Sequence, residues 1–209
     1  MMEAWSPWET ISPEAKLTLL IARSLVTPSY ANKIEGFLAE GHLNWESFNQ
    51  LAAYHELTPS AHIFLKSFPR LVSSDELRLL ERYYYSNLLH LNLLQQELLK
   101  ILDLFKKENI MVLPLKGAQF LLEEGVYGDL AYLRPMCDID ILIKKRDCLK
   151  SEGILESLGY KKELHGAKEE YWRNKGYHLG FVRQAQNKQF YIVEVHWDLD
   201  YKRSRPLLS

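Results

Sequence analysis

Hydrophobic positions in the first half of the chain recur every three or four residues. Three segments there start with a residue that can cap a helix, Ser12, Asn44 or Thr58, and proline follows two of these caps directly. A capping side chain before an apolar run of this period marks the start of a helix. The pattern therefore predicts several short helices before residue 73.

A long helix is predicted next. Ser73 and Glu76 have the spacing of a capping box, and an apolar stripe then continues to give a helix of about 33 residues. The stripe consists of Leu77, Leu80, Tyr84, Leu88, Leu91, Leu94, Leu98, Ile101 and Phe105. Such a stripe can form a coiled-coil seam, but further tyrosines and leucines beside it widen the apolar face. We expect a scaffold helix that packs on neighbouring helices rather than one that dimerises.

After residue 109 the pattern changes to strand-like alternation. The predicted strands are residues 111–115, 139–143, 178–183 and 189–197. The predicted helices are residues 118–124, ended by Gly125, and 146–158, ended by Gly159. Two late strands after a helix favour a mixed sheet. The predicted fold class is α+β, with a helical region at residues 1–108 and a small mixed-sheet domain flanked by helices at 109–209.

Composition and charge exclude several classes of protein. The 209 residues are 47% hydrophobic and 25% charged, which is ordinary for a globular chain, and a net charge of −1 gives no general attraction for nucleic acid. No signal peptide and no apolar run of roughly 20 residues is found, so we expect a cytoplasmic protein without a membrane partner. Cys137 and Cys148 lack metal-binding spacing, so neither structural zinc nor a disulfide-linked partner is indicated.

Two aspartates at the start of the strand at residues 139–143 are the first candidate for chemistry. Residues two apart in a strand point to the same side, so Asp138 and Asp140 present both carboxylates on one face. Carboxylates this close repel each other unless a cation lies between them, and Mg²⁺ favours carboxylates together with water and phosphate oxygens. The alternative is a solvated start of the strand, since Asp-x-Asp also occurs by chance.

A third carboxylate lies in the last predicted strand. Alternation there puts Glu194 and His196 on the face opposite the apolar residues. Glu194 can simply face water, but beside the aspartate strand it would complete three acids able to bind two metal ions. For His196 we expect a hydrogen-bonded structural histidine, with a minor role in proton handling as the alternative.

Two further segments offer positive charge. Lys116 and Gly117 join the first strand to the next helix, where glycine would let backbone N–H groups approach a phosphate and lysine would add a charge. Arg134 is a second candidate for phosphate binding, or it pairs structurally with Asp129 or Asp140.

These residues together resemble the bacterial "uncharacterised nucleotidyltransferase" family of the DNA-polymerase-beta-like nucleotidyltransferase superfamily. The resemblance covers about residues 75 to 200, and the ordered set is more specific than any single motif. It rests on Leu115-Lys116-Gly117-Ala118, Tyr127-Gly128-Asp129, Leu133-Arg134-Pro135-Met136-Cys137-Asp138-Ile139-Asp140-Ile141-Leu142-Ile143 and Val193-Glu194-Val195-His196-Trp197.

The resemblance implies a reaction. Asp138, Asp140 and Glu194 would be the metal-binding and catalytic acids, with Mg²⁺ or Mn²⁺ as cofactor, and Lys116, Gly117 and Arg134 would bind phosphate. A nucleoside triphosphate would transfer its nucleotidyl group to an unknown acceptor, which is a small molecule, a protein or an RNA, and pyrophosphate would leave. Family members usually continue beyond the third acid, so the resemblance also implies a shortened chain or a site without those C-terminal helices.

Two other functions compete with nucleotidyl transfer. A glycosyltransferase also binds metal through Asp-x-Asp, but there an apolar strand runs into the motif, whereas here the apolar residues 141–143 follow it. An inactive nucleotide-binding or protein-interaction module of the same fold is the main alternative. The sequence does not identify the acceptor, the triphosphate or the oligomeric state, because fold alone does not define function.

Overall fold

A computed structural model describes residues 10–122, 132–164, 176–185 and 189–199. The described residues form seven α-helices and a five-stranded mixed sheet, which confirms the α+β class. The chain divides into one compact unit of residues 1–90 and 128–135 and another of residues 91–127 and 136–209. The domain boundary predicted after residue 108 stays a prediction. In the described part of the chain, no helix is both long and apolar enough to cross a membrane.

The first unit is helical. Its helices are α1 (Pro13–Val26), α2 (Ala31–Ala39), α3 (Trp45–Tyr54), α4 (Thr58–Leu65) and the first half of α5 (Ser74–Lys107). The predicted caps at Ser12 and Asn44 are confirmed, because their side chains accept the backbone N–H groups of Ala15 and Ser47 at 3.2 and 3.0 Å. The predicted cap at Thr58 is wrong, because Leu57 occupies the cap position and Thr58 is already helical. Pro59 then lies in the first turn, where proline is tolerated.

The long helix predicted after Ser73 is confirmed as α5, while its role as a scaffold rather than a dimerisation helix stays a prediction. Ser73 Oγ accepts the N–H of Glu76 at 3.2 Å, and the Glu76 carboxylate accepts a hydrogen bond from Asn49 at 2.9 Å. The predicted stripe supplies buried side chains along the helix, among them Leu80, Leu91, Leu94, Leu98, Ile101 and Phe105. The stripe therefore serves the protein core.

The second unit contains the sheet. Its elements after α5 are β1 (Val112–Pro114), α6 (Lys116–Phe120), β2 (Asp138–Ile143), α7 (Cys148–Ser157), β3 (Lys161–Glu163), β4 (His178–Gln184) and β5 (Phe190–His196). The strand order is β1-β2-β5-β4-β3, with β2 and β5 parallel and the other pairs antiparallel. Helix α6 begins two residues before the prediction, and the predicted stop Gly125 lies outside the described residues.

Other predicted boundaries in the second unit need smaller changes. The helix predicted at residues 146–158 begins with a 3-10 turn at Lys145–Asp147, and Gly159 ends it with a φ of +86°. A positive φ suits glycine because it has no Cβ to clash with the backbone. Strand β3 was not predicted, since three charged residues show no apolar alternation.

The two faces of the sheet differ in chemistry. One face packs into the core through buried residues of the central strands, which are Ile139, Ile141, Ile143, Leu179, Phe181, Val193 and Val195. Because side chains alternate along each strand, Asp138, Asp140, Glu194 and His196 lie on the opposite face. The hydrophobic core thus fixes the strands that carry the candidate site.

A buried polar network joins α5 to the core face of the sheet. The Glu97 carboxylate accepts hydrogen bonds from Tyr160 Oη at 2.9 Å and from Arg183 Nη2 at 2.7 Å. The Arg183 guanidinium also lies over the rings of Tyr160 and Tyr191, at 5.2 and 4.9 Å from their centroids. Burial and the adjacent Glu97 charge raise the pKa of Tyr160. The phenol therefore stays a hydrogen-bond donor.

We expect Glu97→Ala to destabilise the protein by about 3 kcal/mol, because removal of one partner leaves a buried charge without compensation. The control is Asp103→Ala on the same helix, which breaks the exposed ion pair between Asp103 and Lys107 and should change stability by less than about 1 kcal/mol. Urea unfolding measures both variants. Equal effects would show that the network does not anchor the helix.

Candidate functional site

The acids predicted from the sequence come together through strand pairing. In the parallel pair β2 and β5, Asp140 lies directly opposite Glu194, and Asp138 lies opposite Ile192. Paired residues on adjacent strands point to the same side of a sheet, so Asp138, Asp140 and Glu194 share one face. We call these three residues the acid cluster. The predicted arrangement of two aspartates on one strand and Glu194 on its neighbour is confirmed.

Two basic side chains contact the acid cluster. Lys116 Nζ lies 2.6 Å from Asp140 Oδ1 and 3.8 Å from Glu194 Oε2. His196 Nε2 lies 2.8 Å from the same Asp140 oxygen and 3.3 Å from Glu194 Oε2. The site therefore contains an ammonium and an imidazole on the same two carboxylates. His196 is hydrogen-bonded, as expected, and its partners are the acids themselves.

The turn after β1 directs Lys116 to the acids. The N–H of Leu115 donates to the Asp140 carbonyl at 2.9 Å, which ties this turn to β2. Lys116 itself has a φ of +49°, a conformation that side-chain-bearing residues rarely adopt and that often marks functional positions. Gly117 follows as a buried residue of α6. The unusual backbone is thus at the lysine of the predicted Lys-Gly turn.

The sequence reasoning missed His178 in strand β4. His178 lies opposite His196 in the antiparallel pair, and the two rings stack with centroids 5.0 Å apart. Its Nε2 is 3.9 Å from Glu194 Oε1. The predicted hairpin held part of the signal, because its bounds place residue 183 opposite 189 and therefore His178 opposite Glu194. The observed register is shifted by two residues, which puts His178 opposite His196. On this register Gly180 lies opposite Glu194.

The ionised form of Asp138 is destabilised by its surroundings on this face. Burial raises the pKa of Asp138, and the negative charges of Asp140 and Glu194 raise it further. Both causes disfavour the ionised form of the carboxyl group. A cation bound nearby would relieve this cost.

The basic side chains compensate Asp140. Burial raises the pKa of Asp140, but hydrogen bonds from His196 and Lys116 outweigh burial and lower it overall. Burial lowers the pKa values of Lys116 and His196, while their interactions with Asp140 and Glu194 raise both values overall. The pKa of His178 is lowered, first by burial, and the positive charges of His196 and Lys116 act in the same direction. Of the two histidines, His196 is therefore the one that favours the charged form.

The chemistry of the donor atoms fits a divalent cation. Among the described residues, Asp140, Glu194 and His196 each offer a ligand atom, and these atoms lie within 4.8 Å of one another. Asp140 and His196 are 3% exposed, so the ligands are held by their surroundings. Buried, oriented carboxylates are the ligands that hard divalent ions prefer. The inclusion of Asp138 as a direct ligand stays a prediction.

The remaining predicted residues are not all in the second unit. Arg134 belongs to the first unit, and its role in phosphate binding stays a prediction. The motif residues Tyr127, Gly128 and Asp129 lie outside the described residues. Both cysteines are free thiols, Cys137 exposed and Cys148 buried.

The fold and the site define a mixed-sheet domain whose acidic face can hold a divalent cation. A family model described as "Uncharacterised nucleotidyltransferase" matches residues 41–208. The chain therefore belongs to this family, which confirms the resemblance found in the sequence and supports a function in nucleotidyl transfer. Neither the curated proteins nor the solved structures include a match to the chain.

Proposed function

We propose that the protein is a metal-dependent nucleotidyltransferase that moves a nucleotidyl group from a nucleoside triphosphate to an acceptor. The observation that carries this proposal is the pairing of Asp140 with Glu194 across β2 and β5 in a chain of the nucleotidyltransferase family. In the proposed reaction, an acceptor hydroxyl or similar nucleophile forms a bond to the α-phosphorus. The bond to the oxygen between the α- and β-phosphates breaks, pyrophosphate leaves with the electron pair, and the proton of the nucleophile is lost to solvent.

Asp138, Asp140 and Glu194 are the proposed ligands for Mg²⁺ or Mn²⁺. Their shared face and the raised pKa of Asp138 support this role, because a bound cation would lower the repulsion among three neighbouring carboxylates. Two bound divalent ions would stabilise the attacking and leaving oxygens of the phosphoryl group. By holding the cation, the acids would orient the triphosphate.

Lys116 is proposed to leave the acids and bind a phosphate of the substrate. Its ammonium contacts the same Asp140 and Glu194 oxygens that would bind a divalent ion. Its side chain is 55% exposed. An exposed lysine is a flexible point charge that can turn toward a phosphate. We propose that Lys116 and Gly117 bind the phosphates of the triphosphate.

Lys116→Met should strengthen divalent-ion binding in the absence of nucleotide, because the ammonium no longer competes with the ion for the carboxylates. The expected increase in affinity is about tenfold, which corresponds to about 1.4 kcal/mol. The same variant should raise the KM for the triphosphate. Titration with Mn²⁺ followed by electron paramagnetic resonance measures the affinity. The matched control is Lys107→Met, whose ammonium pairs with Asp103 on α5. Weaker Mn²⁺ binding in Lys116→Met would contradict this role.

The test of the proposed function is a screen with the four nucleoside triphosphates labelled at the α-phosphate. Each is incubated with Mg²⁺ or Mn²⁺ and with small-molecule, protein and RNA fractions as acceptors. Label transfer with pyrophosphate release supports the enzyme. Metal-dependent binding without transfer to any fraction would instead support the inactive nucleotide-binding module.

The free thiols agree with the cytoplasm as the proposed compartment.

A further inference from the structure

The imidazole of His196 lies where a metal ligand would lie. Its Nε2 is 2.8 Å from Asp140 Oδ1 and 3.3 Å from Glu194 Oε2. Ligands at right angles around a divalent ion with bonds of about 2.1 Å are separated by about 3.0 Å. The two separations bracket this spacing, and the three ligand atoms all lie within 4.8 Å of one another, so one ion can contact both carboxylates and the imidazole once the Lys116 ammonium moves away.

The surroundings of His196 hold the ring in place. Its side chain is 4% exposed, the His178 ring stacks on it with an interplanar angle of 29°, and the Tyr177 ring lies 5.8 Å away. A buried ring fixed by neighbouring rings keeps Nε2 directed at the acids at little entropic cost. The residue is thus better ordered than a surface histidine that meets an acid by chance.

A nitrogen ligand changes which ions the site prefers. Carboxylate oxygens suit Mg²⁺ and Mn²⁺ alike, whereas imidazole suits transition-metal ions and is a poor ligand for Mg²⁺. A set of two oxygens and one nitrogen therefore favours a divalent transition-metal ion. When the ion binds, it replaces the proton on Nε2, and that proton leaves to solvent.

We propose that His196 is a direct metal ligand and that it makes the site prefer divalent transition-metal ions such as Mn²⁺ over Mg²⁺. The inference rests on the metal site of the proposed function. It changes the expectation for His196, since the sequence reasoning gave this residue a structural role. The acids hold the ion, and the histidine determines which ion is preferred.

Pulsed electron paramagnetic resonance of the Mn²⁺-loaded full chain tests this directly. A coordinated imidazole should give a ¹⁴N coupling that disappears in His196→Gln and persists in His178→Phe, which keeps a stacked ring but has no nitrogen. The preference for Mn²⁺ over Mg²⁺, measured by competition, should fall at least about tenfold in His196→Gln, the factor that 1.4 kcal/mol produces.

The outcomes separate this inference from the proposed function. Protein labelled with ¹⁵N-histidine should show a ¹⁵N coupling in place of ¹⁴N, so the assignment to histidine does not depend on the folding of a variant. Absence of nitrogen coupling, or coupling that survives in His196→Gln, overturns the inference and leaves the acid site intact. Nitrogen coupling without nucleotide transfer would uphold the inference while the proposed function fails.

Discussion

Asp140→Asn should abolish nucleotidyl transfer, with a loss of more than about a hundredfold, since even indirect partners of a metal ion typically contribute 10–100-fold. Asp140 is 3% exposed, which makes it the most buried member of the acid cluster, and its carboxylate is contacted by both Lys116 and His196. The measurement is kcat/KM with the best triphosphate from the labelling screen. Glu194→Gln should show a loss of the same order, because Glu194 lies directly opposite on β5.

The control for the Asp140 variant is Asp147→Asn. Asp147 belongs to the same unit as Asp140 but lies in the 3-10 turn after β2, outside the strands of the acid cluster. Its carboxylate lies 3.9 Å from Arg146 Nε. Its replacement should leave activity within about twofold, as expected for a substitution outside the site. Full activity in Asp140→Asn would remove the catalytic claim for the acid cluster, whatever the control shows.

Asp138→Asn should have two opposite effects. Because burial and the charges of Asp140 and Glu194 disfavour ionised Asp138, an amide there should raise the Tm of the metal-free protein, by about 2–4 °C for each kcal/mol relieved. The same change should reduce the rise in Tm produced by Mg²⁺ or Mn²⁺ with a triphosphate, because it removes a metal ligand. Differential scanning calorimetry with and without the ligands measures both effects.

The pH dependence gives an independent check on Asp138. A carboxyl group whose pKa is raised by folding destabilises the folded protein at pH values above the raised pKa, and this cost disappears as the pH falls below the unfolded pKa of about 3.9. The stability gained by Asp138→Asn should therefore be largest at neutral pH and shrink in acid. Asp103→Asn is the control, because it loses only an exposed pair with Lys107. A lower Tm for metal-free Asp138→Asn would contradict the account.

The local part of this fold could be predicted from the sequence. Capping residues and apolar spacing are local signals, so the pattern located the helix starts at Ser12 and Asn44 and the buried stripe of α5. Helix α2 has no such signal, since Tyr30 at its cap position makes no side-chain cap hydrogen bond. Alternation likewise identified the faces of β2 and β5, because one face of each strand packs into the core.

The site required information that no local pattern carries. The pairing of Asp140 with Glu194 joins strands that are 54 positions apart in the sequence (194 − 140), and only the family resemblance indicated it. Lys116, whose ammonium contacts Asp140, has a positive φ that is unusual for a residue with a side chain and that no local pattern indicates. His178, which the sequence analysis missed, could have been placed on this face from the predicted hairpin.

In the proposed reaction, the acid cluster supports attack at the α-phosphorus of a triphosphate. The most direct measurement compares two samples of the same triphosphate, one labelled at the α-phosphate and one at the γ-phosphate, incubated with Mn²⁺ and the acceptor fraction found in the screen. The account predicts that the α-label becomes attached to the acceptor, that the γ-label appears in pyrophosphate, and that Asp140→Asn produces neither. Attachment of the γ-label to the acceptor, or transfer that continues in Asp140→Asn, would contradict it.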